Sequence, residues 1–144
     1  VVNNLTTNET ELPAGGDADA KYITRTVTLA DGFDAQDISV YLSMNRRAGT
    51  NVTCYYKVLS QYDVDSFEDK LWKVMQQTSN LNTLSTDPEE FIEYQFDPIT
   101  ANTYYSVGGA NFTSYKTFAV KIVMTSSNTC VVPRVKDLRV IALA

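Results

Sequence analysis

The chain has 144 residues, 44% hydrophobic and 20% charged, with a formal net charge of −5; this suits one globular domain with a sizeable core and excludes wholesale disorder. Among its twelve basic residues only Arg46 and Arg47 sit side by side. A nucleic-acid-binding surface, which needs clustered Lys and Arg for counterion release, is therefore not expected. No apolar run approaches a membrane-spanning length and no signal peptide opens the chain, so no membrane insertion is expected, and Val1 in place of Met suggests processing or truncation of a longer chain. The chain has no histidine. That removes imidazole-based triads, Cys/His zinc sites and the commonest general base together.

Residues 1–20, VVNNLTTNETELPAGGDADA, hold few large apolar side chains and end in Pro13, Gly15 and Gly16. This composition predicts an extended arm joined to something upstream, with the folded domain over 21–144. From Lys21 the texture becomes β-branched: Tyr22, Thr24, Thr26 and Thr28 alternate with Ile23, Arg25, Val27 and Leu29, a first strand. A second strand follows, with Ile38, Val40, Leu42 and Met44 on one face. After a turn at residues 46–50 a third spans 51–60, with Val52, Cys54, Tyr56 and Val58 on one face; the two read as a hairpin.

An acidic loop, Asp63, Asp65, Glu68 and Asp69, leads into Ser66 and Asp69 at capping-box spacing. One helical turn followed by a short strand over 71–75 is favoured there over a helix from Ser66 to Gln77. Residues 76–90 form a long polar loop ending at Asp87-Pro88, and residues 91–96 a strand with Ile92, Tyr94 and Phe96 on one face, stopped by Asp97-Pro98. A second long loop over 99–114 contains Gly108-Gly109. Then come two long strands: Phe118, Val120, Ile122 and Met124 alternate with Ala119, Lys121, Val123 and Thr125, a half-buried pattern. After a polar turn and Pro133, Leu138, Val140 and Ala142 alternate with Arg139, Ile141 and Leu143. Seven strands and at most one short helix predict an all-β, antiparallel β-sandwich, jelly-roll-like or immunoglobulin-like.

No catalytic constellation is legible, and neither cofactor nor metal is expected. The acidic loop is the best cation candidate, but it shares only Asp-x-Asp with an EF-hand loop and reads as a solvated turn. Nothing selects a carboxylate pair for glycoside hydrolysis. Cys54 and Cys130 read more readily as two free thiols than as one bridge. Sequons at Asn4, Asn8, Asn51 and Asn111 carry little weight in a chain so rich in Asn and Thr. Trp72 and nine tyrosines admit a carbohydrate-binding reading, set against core roles for Trp72, Tyr56 and Tyr94.

Four stretches carry a family resemblance: RTVTLADGFDAQDISVYLSMNRRAGTNVTCYYKVLS (25–60), DSFEDKLWKVM (65–75), FIEYQF (91–96) and, most specific, KTFAVKIVMTSSNTCVVPRVKDLRVIALA (116–144). Together they resemble the C-terminal domain of virion structural proteins from contractile-tailed bacteriophages, especially those of marine cyanobacteria. The resemblance covers most of 21–144 but not the arm. It implies a place in the tail, baseplate or fibre region and no catalytic residues. The resulting expectation is a non-enzymatic assembly domain in the virion, touching other virion proteins and copies of itself. The alternative is a binding module for cell-surface glycan. Arg46, Arg47, Trp72 and Tyr105 are the candidate interface or glycan contacts.

Overall fold

The computed structural model describes residues 10–16, 20–99, 105–107, 110–127 and 131–143, with the backbone alone for 105–107, 110 and 111. Ten strands lie among them: β1 (Lys21–Ile23), β2 (Val27–Thr28), β3 (Asp37–Asn45), β4 (Thr50–Leu59) and β5 (Lys73–Gln77). They continue as β6 (Ile92–Pro98), β7 (Tyr105–Val107), β8 (Ala110–Phe112), β9 (Thr117–Ser126) and β10 (Arg134–Leu143). Their pairings are all antiparallel.

The main sheet runs β1-β9-β4-β5-β6-β3-β10, with β2 also on β9. It curls at β5. The first part of that strand pairs with β4 through Val74 and Lys73, and the rest pairs with β6 through Met75–Gln77. The two halves enclose one core: Ile38, Val40, Leu42 and Met44 of β3, Val52, Cys54, Tyr56 and Val58 of β4, Tyr94 and Phe96 of β6, and Phe118, Val120 and Ile122 of β9. Period-two alternation supplies every one of these positions, because a strand in a two-sheet stack buries only every second side chain. The molecule is thus the all-β, antiparallel sandwich that the alternation predicts.

Strands β3 and β4 do not form the expected hairpin. β3 lies between β6 and β10, while β4 lies between β9 and β5, so residues 46–49 arch from one half of the sandwich to the other. Both strands carry a full apolar face, and stacking those faces across the core buries more surface than laying them side by side. β9 and β10 likewise lie in different halves, β9 on β4 and β10 on β3. The paired strands β3/β10 thus continue as the pair β4/β9, a ribbon wound from sheet to sheet in the jelly-roll manner. The two arches touch: Ser127 donates its N–H to Gly49 O at 2.9 Å. Gly49 has φ +85°, and a Cβ there would stand 2.9 Å from Ser127 Oγ, so any other residue would strain the backbone and push that hydroxyl aside.

Three other expectations change. The first strand is two pieces, because the register against β9 slips by one residue between Ile23 and Val27; the Thr24 hydroxyl takes the Val120 N–H at 2.9 Å in place of a ladder carbonyl. β9 is buried on both faces, not one: Ala119, Lys121 and Val123 are as covered as Phe118, Val120 and Ile122. The expected loop 99–114 contains a hairpin, β7 with β8; Gly108-Gly109 lie outside the described residues. By contrast, the single helical turn (Phe67–Asp69) and a short strand after it are found, with Ser66 Oγ accepting the Glu68 N–H at 3.3 Å, but the strand is Lys73–Gln77, two residues later than the expected 71–75.

Polar ties close the ends. Tyr115, fully buried, donates its hydroxyl to Asp37 O at 2.6 Å, and its backbone exchanges two hydrogen bonds with Ala35. At the other end Asn45 donates to Asp87 O and Glu90 O at 2.8 and 2.7 Å, and Tyr94 donates its hydroxyl to Thr83 O at 2.6 Å. The long polar loop is held down by buried side chains of β3 and β6.

Candidate functional site

The outward side chains of β4 and β9 are the unusual part of the molecule. An outer sandwich face ordinarily meets water, yet here Tyr55 and Lys57 of β4 and Ala119, Lys121 and Val123 of β9 are all buried. The pairing register puts Tyr55 opposite Lys121 and Lys57 opposite Ala119. Trp72, just ahead of β5, and Phe67 of the helical turn lie over them. Lys57 Nζ stands 4.8 Å from the Trp72 ring centre and 5.5 Å from that of Phe67; Lys121 Nζ stands 4.9 Å from Trp72 and 4.4 Å from Tyr55. At these distances a desolvated ammonium gains on the order of 1–2 kcal/mol from a ring face.

The arm supplies the cover. Lys121 donates to Thr10 O at 3.3 Å, Lys57 to Pro13 O at 3.3 Å and Lys21 to Gly16 O at 2.9 Å. Trp72 donates its backbone N–H to Glu11 O at 2.8 Å. Three lysines and one backbone amide thus read the main chain of residues 10–16, which satisfies its carbonyls without demanding particular side chains. Between arm and sheet lies a cavity of about 270 Å³, walled by Phe67, Trp72, Lys57, Lys121 and Pro13, with exposed Glu68 at its margin. Burial lowers the Lys57 pKa; Glu68 opposes that shift, Lys121 adds to it and Asp69 opposes it.

The acidic loop has a different use. Lys70 is buried, and its ammonium lies 2.5 Å from Asp63 and 3.0 Å from Asp65. The carboxylates therefore close on an internal cation, and the loop is locked to the helical turn that follows. Cys54 is a free thiol in the core, its pKa pushed up by burial, and Cys130 lies outside the described residues. Asn51 is exposed; Asn4, Asn8 and the Asn111 side chain lie outside the described residues.

The four predicted contacts do not gather in one place. Arg46 and Arg47 flank the β3–β4 arch, both half-buried. Arg46 is committed internally, donating to Thr50 O and Gln77 Oε1, each at 3.3 Å. Trp72 is buried, 5% exposed, under the arm. Tyr105 lies in β7, and its side chain is outside the described part. Sequence reasoning missed Lys57 and Lys121. The available signal was apolar Ala119 and Val123 flanking Lys121, which marks its face as covered; the cover itself, an arm of linker composition, is not legible in any one segment.

Among the described residues no helix is long and apolar enough to cross a membrane. No family model matches the chain, and searches of curated proteins and of solved structures likewise find no match.

Proposed function

We propose that this chain is a non-enzymatic structural domain of a phage virion, in the tail, baseplate or fibre region, acting through contacts with other virion proteins and with copies of itself. The reading joins the resemblance of residues 25–60, 65–75, 91–96 and 116–144 to one observation, the open edge of β10. That strand pairs with β3 along Arg134–Leu143, and among the described residues no strand pairs with its other side. Its core-facing Leu138, Val140 and Ala142 are only half-covered, and Leu143 is 47% exposed.

The beginning of β10 carries the usual protections of an edge, a register shift between Val135 and Asp137 and the charged Arg134, Lys136 and Asp137. The rest, Leu138–Leu143, has a single charge, Arg139, which is engaged with Glu93 at 2.8 Å and Tyr41 at 4.6 Å. A largely apolar edge of this kind suits addition of a strand from another chain. Labelling purified particles with an antibody against residues 21–144 tests the assignment. Signal at the tail, baseplate or fibres is expected; particles that lack the protein overturn it.

A second reading, a carbohydrate-binding or host-receptor-binding module of a tail fibre, is supported by the cavity beside Trp72. Aromatic walls next to polar groups are what a sugar ring requires.

A further inference from the structure

We infer that the cavity beneath the arm is a binding site for an acidic sugar, a uronate or sialate, whose carboxylate pairs with Lys57; this rests on the carbohydrate-binding reading and names its ligand. Lys57 is 3% exposed, and its ammonium has three donors. One is used, on Pro13 O at 3.3 Å, and the cation otherwise faces the Trp72 and Phe67 rings. The ion pairs formed among the described residues involve Lys70, Lys116 and Arg139, and none involves Lys57. Burial of an ammonium that forms no ion pair is costly, and an anion brought beside it gains more there than it would in bulk water.

The surroundings narrow the class. The cavity, about 270 Å³, is small even for a compact ligand and has the Phe67 and Trp72 rings in its wall. A six-membered sugar ring fits such a space, lays its C–H face against the half-buried Phe67 ring and presents hydroxyls to the polar margin, where Thr26 and Glu68 stand. Glu68 is exposed and carries the same sign as the incoming carboxylate, so it weakens affinity without blocking entry.

The chain has one tryptophan, so indole emission reports on this cavity directly. Titration of the whole chain with glucuronate, N-acetylneuraminate, glucose and sulfate, followed by Trp72 fluorescence, tests the assignment. At least one acidic sugar is expected to shift the emission saturably, with glucose and sulfate at least tenfold weaker. Lys57→Met should weaken the response at least tenfold with the circular dichroism unchanged. Glu68→Gln, at an exposed position that does not threaten the fold, should tighten it two- to threefold. Equal binding of glucose and glucuronate overturns the acidic assignment and leaves a neutral-sugar site. Sulfate matching glucuronate overturns the sugar assignment. No response to any sugar defeats both this inference and the reading it rests on. Should Lys57→Met fail to fold, an unchanged affinity in Glu68→Gln overturns the charge argument by itself.

Discussion

Lys70 occupies the place that an inorganic cation would take in the acidic loop. Asp63, its side chain 3% exposed, depends on that ammonium, whereas Asp65 is 46% exposed. Lys70→Met should therefore cost about 2 kcal/mol, at the low end for a buried pair because one partner stands half in water; denaturant midpoints measure it. Two of the buried lysines, Lys70 and Lys57, respond oppositely to alkali. Burial alone would lower the Lys70 pKa, but hydrogen bonds and charge from Asp63 and Asp65 outweigh it and raise the value. Its contribution is complete below the unfolded lysine pKa and is lost as pH rises through the raised folded one. Lys57 is lowered, mainly by burial, so the unfolded state holds its proton more tightly and stability linked to it grows as pH rises from the lowered value towards the ordinary one. Between about pH 8 and about pH 11, Lys70→Met should lose less stability than the wild type, and Lys57→Met more. The Asp-x-Asp of this loop is plain in the sequence; the lysine that neutralises it is not, because Lys70 reads equally well as a solvated charge.

Arches and straps, more than strands, decide how the elements are arranged. Gly49 sits at φ +85° against Ser127, so Gly49→Ala should cost about 1–2 kcal/mol from the left-handed backbone plus the crowding of Ser127 Oγ. Gly49→Ala with Ser127→Ala should recover only the crowding part, measured as a thermal midpoint between those of wild type and single variant. Removing residues 1–16 takes away the acceptors of Lys57, Lys121, Lys21 and the Trp72 amide. About 3 kcal/mol or more of stability should go with them, and the emission of Trp72 should move to the red as water reaches the indole. The strands and their inward faces are legible from alternation alone, down to Ile38, Tyr56, Tyr94 and Val120. The pairing is not: a two-residue period says which side chains point inward but not which neighbour lies alongside, so β3 and β4 read as a hairpin when they form an arch. The buried outer face of β9 was hidden for a related reason, since the arm that covers it binds through its backbone carbonyls, which carry no sequence signature.

At the scale of the whole molecule, one half of the sandwich is shielded by the arm, and the other ends in β10, whose outer edge pairs with no strand among the described residues. Assembly is the use that this asymmetry suits, and the account stands on that edge. The most direct measurement is sedimentation velocity over a range of concentrations, comparing the chain with its Ile141→Lys variant, which places a charge on the outer side of the edge strand. The prediction is association of the wild type, with itself or with the virion proteins proposed as its partners, that the variant loses while its circular dichroism stays the same. A wild type that remains a monomer at high concentration and alongside those proteins, or a variant that associates as strongly as the wild type, would contradict it.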